Sequence, residues 1–456
     1  MVRLVPVLLT ALILLGGCER PFIEPAAPSV ELVSPEDLTV VRSQPQLPLA
    51  FRASASFGGV DRVEVNGAPA TFVAGGALYL DTLRLAEGVN RIVVEVFGEG
   101  DVVGGDTLFA LYLPAEFVTP AALRLPDGRG GHAAVQLNEG PILLTGGARS
   151  VTAPAQDLAL LFDPSRASFS ALPNRMVEAR VGHAASLLPD GRVLLTGGSR
   201  FVTPESVDDL VATVELFDPA TGLFTPVPIV AADGGAVAPV QRTEHTVTVL
   251  QNEDGDISLY LYGGLGNLGT ASDPALGALP FMRRLRLEET TDGLRLVAPN
   301  RSEGFRLTAI ARHTQTPLAD VGPDGFGRYL IAGASSPDEP DPAAPFELAF
   351  DSGGLDPFSA GPLAEPRADH AAAPLLPGLT LVAGGRTPDL GAVLASGEVF
   401  ADDAGVFFHF AEGTRLAAPR WGHTATNLGG GRILLVGGFS PTGQALPQTE
   451  LFVSTP

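Results

Sequence analysis

The sequence predicts an all-β protein, and three observations carry that prediction. Glycine and proline supply 54 and 40 of the 456 residues, a load that suits many short strands joined by turns and works against long helices. Six of the seven histidines, at 132, 183, 245, 313, 370 and 423, recur at intervals of 51 to 68 residues, and a fixed period of that kind marks a repeat architecture. Runs of strand length alternate apolar and polar residues, and with 45% hydrophobic and 18% charged side chains there is ample surface to bury.

The amino terminus reads as an address. Arg3 is the only charge before Glu19, and residues 5–17 are nearly continuous apolar sequence, a stretch too short for a stable membrane span. It ends Leu15-Gly16-Gly17-Cys18, which resembles the lipobox of bacterial lipoproteins. The resemblance implies removal of a signal peptide (1–17), lipidation of Cys18 and a tether over 18–29. It implies an outer-membrane, lipid-anchored protein, since Glu19 rather than Asp follows the cysteine, on either the periplasmic face or the cell surface. Several acyl chains hold where one does not, because each buried CH₂ contributes about 0.8 kcal/mol.

Residues 30–114 alternate between turn signals at a spacing that suggests a β-sandwich. Asn66-Gly67 supplies the positive φ of a tight hairpin. The phrases Val63 to Ala70 and Leu85 to Val94 resemble bacterial Ig-like domains, which implies a spacer.

Residues 115–456 hold the repeat. A glycine pair lies downstream of each histidine, at 146–147, 197–198, 263–264, 384–385 and 437–438, with Gly333-Ala334 in the fourth unit. An arginine stands three residues before the histidine in five units: Arg129, Arg180, Arg242, Arg367 and Arg420. In the fourth unit Arg312 precedes His313 directly. Leu161-Phe162-Asp163-Pro164 and Leu216-Phe217-Asp218-Pro219 mark a turn, with Phe169 and Phe224 seven residues after the first aromatic. A unit therefore reads as an R-x-x-H strand, an apolar strand ending in Gly-Gly, a strand ending near Phe-Asp, and a fourth strand after a turn. The sixth unit stops at Glu450-Leu451-Phe452, while Glu116 to Pro120 matches a fourth strand such as Leu223 to Pro226. The amino-terminal strand is thus expected to complete the last unit and remove an open edge. This pattern resembles the kelch motif of galactose-oxidase-like propellers. It implies a six-bladed kelch-type β-propeller behind an N-terminal Ig-like β-sandwich, with Phe mostly replacing the usual blade tryptophan.

Composition excludes much chemistry. The chain has no lysine, one cysteine and a net charge of −22, which removes Schiff-base and P-loop lysines, internal disulfides and cysteine metal sites. So acidic a surface repels nucleic acid. The copper-radical site of galactose oxidase needs a cysteine that Cys18 cannot supply. Gly264 to Gly269 spells G-x-G-x-x-G, but the Pro- and Gly-containing sequence after it is a poor helix, so no dinucleotide site is expected. Asp351-Ser352-Gly353-Gly354 occupies a turn position and has no nucleophile elbow. Acidic loops at 252–256 and 337–342 are solvated loops first and calcium sites second; no metal or cofactor is expected. The repeated arginines read first as blade supports and second as a ring of guanidiniums that grips an acidic ligand at one mouth. The sequence thus points to a non-catalytic protein that binds an envelope protein or, second, a glycan. The opposing reading is a carbohydrate-active or sugar-binding protein, recognisable by an asymmetric cluster of carboxylates and arginines with a raised carboxylate pKa.

Overall fold

The structure is a computed structural model that describes residues 27–454, apart from 36, 43, 56–58, 74–77, 99–102, 139, 234–239, 271, 292, 299–307, 334–345, 352–353 and 411–413. Cys18 and the signal lie outside the described residues, as does the acidic loop at 337–342. The described chain is all-β, with a single turn of 3-10 helix at Val207–Asp209.

Contacts divide the chain into two units. The first comprises 48–82, 92–108 and the residues before 36. One of its sheets pairs Ser29–Ser34 antiparallel with Gln46–Ser54, and Thr71–Val73 with Leu78–Arg84. In another, Val60–Val65 pairs antiparallel with Gly88–Gly98. Alternate side chains are buried along Gln46–Ser54 and along the later part of Gly88–Gly98, the period-2 pattern of strands with one face inward. Asn66 and Gly67 both take positive φ at the hairpin after Val65, as the Asn-Gly pair predicts.

The second unit holds residues 109–456 together with 36–47 and 83–91. The latter two fall within the span expected of the sandwich. The reason is local: Thr39–Val41 lies parallel to Val406–Phe410, and Val40 is buried in the same cluster as Leu381, Val399 and Phe408.

Six sheets follow one another along this unit, each built on four antiparallel strands; the third adds Ile229–Ala231 and the fifth Thr39–Val41, both in parallel pairing. The first is Ala133–Gln136, Ile142–Thr145, Ala159–Asp163 and Ser168–Ala171 in that order. The others repeat the order, beginning at Ala184–Leu187, Thr246–Gln251, Thr314–Pro317, Ala371–Leu376 and Thr424–Gly429. The sixth sheet takes its outer strand from the front of the unit: Ala115–Val118 pairs with Thr449–Ser454, with Phe117 opposite Phe452. Each innermost strand touches the next, and that of the sixth touches that of the first. Second strands are largely buried, and wholly so at Ile142–Thr145 and Val193–Thr196, because both faces pack against neighbouring sheets.

Each glycine pair sits where one sheet meets the next. Gly146 and Gly147 both take positive φ. A Cβ on Gly146 would lie 2.8 Å from Cε1 of His183 in the next unit, and one on Gly147 3.0 Å from Cβ of His132 in its own. The turn thus needs glycine for conformation and for space. The G-x-G-x-x-G run forms a strand, Leu265–Asn267, hairpinned to Leu276–Ala278. The Asn252 to Asp256 loop closes on itself, Asn252 accepting from the Asp256 amide at 2.7 Å.

Candidate functional site: the central cavity

The five repeated arginines are not at a mouth. Their side chains are buried, with Arg129, Arg180, Arg367 and Arg420 among the largest fully buried groups of the protein. Each donates through Nη1 to the carbonyl of the first glycine of its own pair, at 2.8 Å for Arg180 to Gly197 and 2.9 Å for Arg420 to Gly437. Arg180, Arg367 and Arg420 also pair with buried carboxylates on the third strand, Glu215, Glu398 and Glu450. Those carboxylates accept further bonds from loop amides, such as Ala417 N–H to Glu450 at 2.9 Å. In register, Leu160 replaces the glutamate in the first unit and Arg283 in the third. Burial accordingly pulls Arg129 down to about 10 and Arg242 to about 9. A ligand reaches none of these five, so the guanidinium ring expected at the mouth does not form there.

The six histidines join neighbouring units, and all six also contribute to the lining of the central cavity. All six are buried, and five use Nε2 to meet a threonine of the preceding unit: His183 to Thr145, His245 to Thr196, His313 to Thr246, His370 to Thr314 and His132 to Thr424, at 2.7–3.0 Å. The fifth unit has Ala371 and Ala383 at the two places a threonine can occupy, and His423 has no hydroxyl partner. Burial drives these imidazoles down, His132 and His313 to about 3 and the others well below their ordinary value.

The residue just before each histidine is what varies. These six residues, Gly131, Gly182, Glu244, Arg312, Asp369 and Gly422, all take left-handed φ between 53° and 67°. Their peptides form a closed cycle: each N–H donates to the carbonyl of the equivalent residue one unit back, Gly182 to Gly131 at 2.8 Å, Glu244 to Gly182 at 2.7 Å, and so on through Gly131 to Gly422 at 2.7 Å. The cycle contributes the floor of a cavity of about 190 Å³.

That cavity is asymmetric. Three units contribute glycine to its floor, beside Val181, Val202, Trp421 and Phe439. The other three contribute Glu244, Arg312 and Asp369, each only about one-tenth exposed. Arg312 Nε lies 3.1 Å from Glu244 Oε2 and 3.8 Å from Asp369 Oδ2. Arg386 holds Asp369 through Nε at 3.0 Å and through Nη2, with its guanidinium 3.6 Å from the centre of the Trp421 ring. Burial pushes the Glu244 carboxyl up to about 7 against the pull of Arg312, with Asp369 adding to the rise. Among the described residues no group of three or more His, Cys, Asp or Glu is placed to hold a metal ion.

Arg312 is therefore not a displaced blade arginine, since Ile310 holds that position and Arg312 belongs to the floor. The signal lay inside R-x-x-H: its last x is glycine in three units and charged in three consecutive ones. Glu244, Asp369, Arg386 and Trp421 were not singled out from the sequence.

No protein-family profile and no curated protein matches the chain. Among solved structures, one titled "Structure of YjhT" superposes with a TM-score of 0.50 at 14% identity, covering 72% of this chain and 95% of that one. At that identity the likeness concerns fold alone, and it fits an all-β, propeller-type arrangement of sheets.

Proposed function

We propose that this is a lipid-anchored, six-bladed kelch-type propeller with an Ig-like spacer, and that it binds a small polar ligand, a sugar or sugar-like molecule, in its central cavity. The lipobox at Cys18 supports the anchor and an outer-membrane location; the six successive sheets support the blade number. One observation carries the ligand site. Glu244, Arg312 and Asp369 occupy left-handed positions that are glycine in the other three units. Such a conformation costs a side chain roughly 1–2 kcal/mol, and strain of this kind gathers at binding and catalytic sites. The cavity is smaller than the roughly 300–1,000 Å³ of drug-sized sites, which suits one ring. The earlier expectation of a partner gripped by a ring of arginines loses its support, because the guanidiniums it needed are buried.

The only tryptophan of the chain, Trp421, stands in the cavity wall and gives a direct readout. Titration of the purified protein with a library of small saccharides, followed by Trp421 fluorescence, is expected to give a saturable change with at least one compound, weakened tenfold or more by Arg312→Ala. If emission stays unmoved by every compound while one envelope protein co-purifies in equal amount, the scaffold reading replaces this one.

A further inference from the structure

Resting on the ligand-site reading, we infer that the cavity takes an uncharged polyhydroxylated ring and discriminates against its carboxylate-bearing analogue. Two groups of observations lead there. First, the charges of the site are already matched. Glu244 and Asp369 face Arg312 and Arg386, Arg312 lying between both carboxylates and Arg386 held on Asp369 while stacked over Trp421. A ligand carboxylate can enter only by taking a guanidinium from one of these acids. That leaves a partly buried carboxylate uncompensated, which is expensive at low exposure. Hydroxyls make no such demand, since each ionised carboxylate keeps unused lone-pair sites for O–H donors beside its guanidinium bonds.

Second, the peptide groups of the floor offer acceptors and withhold donors. All six peptide N–H groups of the cycle are spent on one another, so the floor has none of the free amides from which anion sites are built. Apart from that of Gly182, which also accepts from the Thr243 hydroxyl at 3.2 Å, each carbonyl of the cycle retains a second lone pair, available to a hydroxyl and repellent to an anion. The wall of Val181, Val202 and Phe439 suits the C–H face of a sugar ring.

The test is calorimetric titration of the detergent-solubilised, full-length lipoprotein at pH 8, where Glu244 is ionised. The probes are galactose, glucose and N-acetylglucosamine against galacturonate and glucuronate. At least one neutral sugar is expected to bind, with its uronate at least tenfold weaker. In Asp369→Asn, which removes one negative charge, that ratio is expected to fall tenfold or reverse. A uronate binding more tightly than its neutral parent to the unaltered protein overturns the inference and leaves the ligand site standing. Absence of heat with all five probes overturns both.

Discussion

Arg180, Arg367 and Arg420 show why a residue that repeats in sequence is a poor guide to a site. Each is sealed between a carbonyl of its own sheet and a third-strand glutamate. Removing one partner of such a pair strands a buried charge and typically costs about 3–5 kcal/mol. Glu450→Ala is therefore expected to lower unfolding free energy by roughly that amount in a urea titration. Arg129 has Leu160 where these three have glutamate, so Arg129→Met strands no carboxylate, only the Gly146 carbonyl, and is expected to cost about 1–3 kcal/mol. Equal losses from the two changes would refute this account. The arginines were visible in the sequence through their spacing from histidine. The glutamates were not, because they stand 30 to 35 residues away and meet the arginines only once strands are paired. The fourth unit shows the same logic in reverse. It has Ile310 for the arginine and, in register, Phe346 at the glutamate position.

Between elements, the seam is the Thr–His bond. Every unit but the fifth supplies a threonine, at the end of its second strand (Thr145, Thr196) or just after its own histidine (Thr246, Thr314, Thr424), and the next unit's histidine finds it. A buried hydrogen bond of this type contributes about 1 kcal/mol, and a partner left unpaired costs about 1–3 kcal/mol. Thr314→Ala is expected to destabilise by about that much. Ala371→Thr, which supplies His423 with the missing hydroxyl at the position of Thr314, is expected to stabilise by about 1 kcal/mol. Both are read as shifts of the urea midpoint at constant slope, and a destabilising Ala371→Thr would show that the fifth seam has no room for the group. The closing strand was legible because Phe117 lies 15 residues before His132, as Phe169 lies 14 before His183, and because Glu116 to Pro120 matches Leu223 to Pro226; it does pair with Thr449–Ser454. The cavity floor was not legible. Gly131, Gly182 and Gly422 hint at left-handed backbone, but Glu244, Arg312 and Asp369 carry no such mark, and the closed cycle of six peptides exists only when all six units have come together.

For the molecule as a whole, the same burial that locks the seams makes it sensitive to acid. Six imidazoles are held neutral in the folded state, well below their ordinary value near 6.5. Their folded pKa is depressed, so the unfolded chain binds more protons than the folded one once pH drops under 6.5, and stability falls with pH from there toward about 3. Glu244 works in the opposite sense. Its folded pKa, raised to about 7 from the usual 4.5, makes the folded state the better proton binder between those values, so this group adds stability as pH falls. One glutamate opposes six histidines, and the histidines prevail. Unfolding near pH 5 is expected to take up close to five protons from these groups, each contributing about 1.4 kcal/mol per pH unit to the slope. Thermal unfolding followed by circular dichroism from pH 7.5 to 4.5 should show a midpoint that begins to fall near pH 7 and falls ever more steeply below 6.5. Glu244→Gln removes only the opposing proton, so its midpoint should fall more steeply than the parent's between pH 7 and 4.5. A midpoint that holds or rises between pH 6.5 and 5 would mean that the imidazoles already carry their protons in the folded ring. The Thr–His seams would then be charged hydrogen bonds, with the imidazolium as donor.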